Sequence, residues 1–184
     1  MQVSPDKAVE DSLPLFADFL DEMARAMAVH NVNRLVIDMR YNGGGNSVLG
    51  DVLLEFLGVS LRDICPFHSY IRVSDFLQTC YPTLFIRDKY ESMKGELAEQ
   101  HQVMNDFTGD MPKPSNRFHG EVAFIQGQNT FSSANYLLTL IKDNALFPII
   151  GTPTSQKPTC FGDVLCVELP YTQTQAYISH SYFV

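Results

Sequence analysis

Leu35-Val-Ile-Asp-Met-Arg-Tyr-Asn-Gly-Gly-Gly45 decides how this chain folds: a short apolar run rich in β-branched residues passes directly into three consecutive glycines. Such a run predicts a buried strand over Leu35–Met39. Glycines placed right after it let backbone N–H groups approach a ligand with no Cβ in the way. Val48 to Leu57 then reads as a helix. Its N-terminus adds partial positive charge, which suits the loop to a phosphate or an oxyanion. A tight turn that needs positive φ accounts for the glycines equally well. The loop is neither a P-loop, which needs GK[ST], nor a GxGxxG dinucleotide turn.

Upstream, Leu13, Phe16, Leu20, Met23 and Met27 recur at three- and four-residue steps and predict a helix from Ser12 to Val29. Asp11 or Ser12 is placed to cap it, with Pro14 in the first turn. Downstream, 59–118 is harder to read: a helix is expected from Tyr90 to about Phe107, set among four prolines with no strand period. Periodic sequence returns with a strand at Glu121–Gln126, a polar turn at Gly127–Thr130 and a helix to about Lys142. Phe147–Ile150 reads as another buried strand. Val164–Leu169 and Gln175–His180 alternate as an antiparallel pair. Helix, strand, loop and helix in this order indicate an α/β layer architecture.

The composition excludes several classes. With 184 residues, 45% hydrophobic and 18% charged, the chain has room for one domain with a real core. A net charge of -8 without a Lys/Arg stripe excludes phosphate-backbone binding, so no nucleic-acid partner is expected. No apolar stretch approaches the roughly 18–20 residues of a membrane span. Cys65, Cys80, Cys160 and Cys166 form no CxxC pair and read as small buried or half-buried side chains. The N-terminus lacks a basic flank followed by an apolar run, and Ser181–Val184 reads like mid-strand, so the sequence is expected to be a piece of a longer chain.

Two strand–loop–helix junctions are where chemistry fits. The second, Thr130-Phe-Ser-Ser-Ala-Asn135, puts serines at a helix start. A serine there is most often only an N-cap. It is also where a nucleophilic serine is well placed, since the next N–H points to where a tetrahedral oxyanion forms. Such a hydroxyl needs a base within hydrogen-bond reach.

Leu35–Gly45 resembles the LIIDLRxNxGG segment of the C-terminal-processing (tail-specific) serine peptidases. Asn129–Asn135 resembles their nucleophile segment, Lys142-Asp-Asn144 the end of the helix that follows, and Ile150–Thr154 their GxxT turn. The match covers about 12–58 and 119–184. It implies a crotonase/Clp-protease-like core: a mostly parallel sheet flanked by helices, plus the C-terminal antiparallel strand pair. On this reading 1–184 is one peptidase core, with 59–118 an insertion or lid-like segment.

Carried over by position, the resemblance makes Ser132 the nucleophile and gives the oxyanion hole to the amides of Gly44 and Ser133, with Gly45 the alternative to Gly44. Many members have a lysine 25 residues after the serine, which here is Lys157. A lysine base must be neutral, so burial has to bring its pKa down from about 10.4. Gln156 and Pro158 replace the glycines that usually flank it. Other relatives resemble a Ser-His-Glu arrangement with a histidine from further upstream, and none of His30, His68, His101, His119 and His180 lies in such a motif. Asp143 is expected to make a structural bond at the helix end, and Asp38 with Arg40 a fold-holding pair.

The resemblance implies acyl-enzyme hydrolysis of extended polypeptides bound by strand addition, with no cofactor or metal, and a periplasmic or envelope location. The competing readings are a non-catalytic binder of peptides or apolar ligands on the same scaffold and, last, an acyl-CoA enzyme of crotonase type. Oligomeric state is not legible.

Overall fold

Strand β1 (Arg34–Asp38) pairs in parallel with β4 (Glu121–Gln126), and β4 pairs in parallel with β5 (Ile149–Gly151), giving a three-stranded sheet in the order β1-β4-β5. The computed structural model describes residues 5–65, 67–82, 87–100 and 113–184, with backbone alone at 5–14 and 87–88. It divides into two compact units, 1–66 with 110–156 and 67–109 with 157–184.

In the first unit, helices α1 (Pro5–Val29), α2 (Val48–Phe56) and α5 (Ser133–Asp143) flank the parallel sheet. Leu20, Val52, Leu54, Phe56, Phe124 and Ile141 are buried almost completely and form the core between these layers. The α1 face read from the sequence is the one turned inward, since Ala17 and Leu20 are buried while Asp18 and Phe19 are exposed. The helix, however, begins at Pro5, so Pro14 lies in its interior. Its polar first turns have no apolar face to reveal them, and Pro5 takes the opening position where a missing N–H costs nothing.

The expected buried strands are only half-buried. β1 and β5 are the two edges of the sheet, and alternate side chains stay open, with Val36 58% and Ile150 59% exposed. An apolar run reads as buried on both faces, yet here one sheet face lacks a covering layer among the described residues.

In the second unit, β2 (Ser69–Arg72), β3 (Leu97–Glu99), β6 (Cys160–Glu168) and β7 (Gln175–Phe183) form an antiparallel sheet in the order β3-β2-β7-β6. The β6–β7 hairpin is the C-terminal pair expected from the sequence, lengthened at its open end, where β6 starts at Cys160 and β7 runs on to Phe183. Ile71, Val73, Leu77, Tyr90, Ala98 and Leu165 make a separate core under it. Helix α3 (Asp75–Cys80) is capped by Ser74, whose Oγ accepts from the Leu77 amide at 3.2 Å. Asp75 then takes bonds from the Tyr90 hydroxyl and, at 2.6 Å, from Lys94.

The helix expected over Tyr90–Phe107 stops early. Helix α4 (Arg87–Met93) ends before Gly95, which has φ +88° and donates to the Val73 carbonyl at 2.9 Å. Leu97–Glu99 continue as β3, and 101–112 lie outside the described residues. The cysteines are also more open than expected: Cys65, Cys80 and Cys166 are exposed and Cys160 is half-buried. Among the described residues, no helix is long and apolar enough to cross a membrane.

Candidate active site

The two loops singled out from sequence are joined in the first unit by backbone and side-chain hydrogen bonds. Phe131 donates its N–H to the Asn42 carbonyl at 3.0 Å, and Ser133 donates its hydroxyl to the Gly45 carbonyl at 2.7 Å. Thr130, fully buried, donates from Oγ1 to the Met39 carbonyl at 2.8 Å and accepts from the Gly127 amide at 3.1 Å. One threonine thereby ties the end of β1 to the turn after β4.

Gly44 makes the closeness possible. Its φ is +93°, and a Cβ there would lie 2.6 Å from Ser132 Cβ and 2.8 Å from both the Phe131 oxygen and the Ser133 nitrogen. Only a residue without a side chain lets the two loops touch at that point. Gly151 plays a similar part at the end of β5, where a Cβ would come 2.2 Å from the Gln126 carbonyl oxygen.

Ser132 stands at the crossing point with φ 53° and ψ −129°, and it is exposed. This backbone region is sparsely populated for an L-residue and costs about 1–3 kcal/mol unless neighbours enforce it. An ordinary N-cap has extended backbone and accepts a bond from the first turn. Ser132 has neither, for its side chain makes no capping bond. Among the described residues its Oγ carries no hydrogen bond at all, so the hydroxyl is open to solvent and to chemistry. A sharp turn of this kind between strand and helix is how hydrolases present a nucleophilic serine.

The amides around Ser132 divide into held and open. Its own N–H donates to Gln156 Oε1. Gly44 N–H donates to Asn42 Oδ1 at 2.9 Å. The amides of Ser133 and Gly45 have no acceptor among the described residues, and Gly45 has φ +140°. Ser133 is therefore the first residue of α5, with its hydroxyl committed to Gly45 and its N–H without an acceptor among the described residues. On the glycine loop the open donor is Gly45, the alternative, while the Gly44 amide is occupied.

Lys157 begins the second unit and is exposed, so the burial expected of a lysine base is not provided among the described residues. Asp143 is the last residue of α5, and its carboxylate makes no hydrogen bond or ion pair among the described residues. The tie at that helix end belongs to Asn144, which accepts from the Cys65 amide at 2.7 Å and donates to the Leu140 and Cys65 carbonyls at 3.0 and 3.3 Å. Asp38 and Arg40 do pair, at 2.6 Å, but on the surface. The Arg40 side chain, and then its amide, lower the Asp38 carboxyl to about 2, with no burial to demand the partner. A cleft of about 360 Å³ opens beside the two loops, lined by Arg40, Tyr41, Gly127, Gln128, Asn129 and Thr152.

Behind the loops, burial pushes the Asp51 carboxyl on α2 up to about 6. Tyr136 on α5 is pushed up to about 12, first by burial and then by the Asp51 charge. The fold thus holds the Asp51 proton to a higher pH than the unfolded chain does. Between about pH 4 and 6 unfolding releases that proton, so this group's contribution is full below about pH 4 and is lost as pH rises through about 6. A gap of that size is worth up to about 3 kcal/mol, less where solvent reaches the carboxyl. Asp51→Asn is expected to be more stable relative to the parent at pH 7 than at pH 4, measured by urea unfolding at both.

No protein-family model matches the sequence, and no curated protein matches it. Solved structures do. Mature CPAF superimposes with a TM-score of 0.60 at 16% identity, covering 91% of this chain and 38% of that chain. Mature CPAF complexed with lactacystin gives 0.60 at 16% identity, covering 91% and 39%. The photosystem II D1 C-terminal processing protease gives 0.47 at 15% identity, covering 92% and 34%. The likeness to CPAF, at 16% identity, shows the fold: a mixed α/β chain with a parallel sheet flanked by helices and an antiparallel sheet of C-terminal strands. The chain spans about two fifths of the length of the CPAF structures it matches.

Proposed function

We propose that this chain is the core of a serine endopeptidase of the tail-specific type, acting on extended polypeptides. The observation that carries the reading is Ser132: exposed, in a strained turn between β4 and α5, with no capping bond and an open amide on the next residue. Ser132 Oγ attacks the scissile carbonyl and the base takes its proton. The Ser133 amide, with the Gly44–Gly45 loop, donates to the oxyanion. Collapse of the tetrahedral species breaks the C–N bond, the amine leaves with the proton, and water then hydrolyses the acyl-enzyme by the same steps. In this scheme Lys157 is the base. Its exposure favours one second reading, a histidine supplied from outside the chain. By the same resemblance the protein works in the periplasm or at the envelope.

The test is casein cleavage by the parent beside Ser132→Ala and Lys157→Ala. Loss in both variants supports the serine–lysine pair, whereas loss in Ser132→Ala alone assigns the base to the histidine. Cleavage that survives in Ser132→Ala contradicts the proposal.

A further inference from the structure

We propose that Gln156 is a positioning residue that holds the Ser132 turn in its reactive shape. The inference rests on Ser132 being the nucleophile and concerns how that serine is kept in place. Gln156 Oε1 accepts the Ser132 amide, a side-chain bond to the backbone of the strained residue itself. The other bonds there, Phe131 N–H to Asn42 at 3.0 Å and Tyr136 N–H to the Ser132 carbonyl at 2.9 Å, are backbone to backbone and set the course of the chain on either side.

Gln156 is itself anchored. Thr154 Oγ1 lies 2.8 Å from Oδ1 of the buried Asn135 on α5 and 3.0 Å from the Gln156 carbonyl. Ser155 Oγ donates to the Gln128 carbonyl at 2.7 Å. The loop that delivers the glutamine is thus tied to the nucleophile helix and to the turn before it. By taking the Ser132 N–H, Gln156 fixes the peptide plane between Phe131 and Ser132 and reserves the neighbouring Ser133 N–H for the oxyanion. The residue that departs from the family pattern beside Lys157 is the one that closes this arrangement.

The experiment compares the full chain with Gln156→Ala, Gln156→Met and Gln156→Glu, by the ¹H–¹⁵N amide signal of Ser132 and by its rate of labelling with a fluorophosphonate. Ala and Met remove the acceptor oxygen, while Glu keeps one. The Ser132 amide is expected to move upfield and exchange faster in Ala and Met and to stay near the parent position in Glu. Labelling is expected to slow about ten- to a hundredfold in Ala and Met, with the thermal midpoint little changed. An unmoved Ser132 amide in Ala and Met overturns the proposal, and so does labelling within twofold of the parent once the amide bond is lost. If the parent itself does not label, the nucleophile reading has failed, and the amide signal alone decides whether Gln156 holds the turn.

Discussion

Ser132→Ala is expected to abolish cleavage of an unfolded polypeptide such as casein while leaving the protein as stable as before. Losing the nucleophile of an acyl-transfer enzyme costs on the order of 10⁶ in turnover, because the remaining groups have no atom to deliver. The stability expectation follows from geometry. The Ser132 side chain is exposed and caps nothing, so deleting its oxygen breaks no bond among the described residues. Alanine also meets the same φ of 53° that serine already tolerates. A serine that was merely structural would show the opposite pattern, a loss of stability with activity untouched. Casein hydrolysis together with a urea midpoint separates the two.

The second large effect is expected of Gly44→Ala. The new methyl group would need room 2.6 Å from Ser132 Cβ and 2.8 Å from two backbone atoms, at a φ of +93°. Neither the backbone of Phe131 nor that of Ser133 can yield without moving the serine turn. A destabilisation of about 3 kcal/mol is expected from strain and overpacking together. Reactivity of Ser132 toward a fluorophosphonate should fall more than about a hundredfold, since a displacement of about an ångström already costs that much. Gly43→Ala is the control: a Cβ there has no neighbour within 4 Å, and the change is expected to be close to neutral. Equal behaviour of the two variants contradicts the contact between the loops.

What the sequence made legible was local. The apolar run before the glycines, the Glu121–Gln126 strand and the helix after Ser132 all carry their periods within a few residues, and each appears where it was read. So does the inward face of α1. The missed features depend on segments far apart in the chain. Thr130 bonds to Met39 across 91 residues and Asn144 to Cys65 across 79, distances over which no local pattern exists. Gln156 falls in the same class: beside Lys157 it looked like a departure from a motif, and only the folded loop brings its amide oxygen to Ser132.

The strands within 59–118 were illegible for a different reason. β2 and β3 have four and three residues, too short to show a period, and their pairing partners are each other and the distant β7. The exposure of β1 and β5 was hidden because an apolar run looks the same at the edge of a sheet as at its centre. Burial of Lys157 is what the role of base demands, and a position carried over from a resemblance says nothing of whether the loop is covered.

The most direct test of the central claim is to treat the protein with a fluorophosphonate and locate the adduct by mass spectrometry of its peptides. A single phosphonyl group on Ser132, absent from Ser132→Ala and still present when Ser133 is replaced by Ala, is the predicted result. An adduct on Ser133 or elsewhere, or a parent protein that takes up none, contradicts the assignment of Ser132 as the nucleophile.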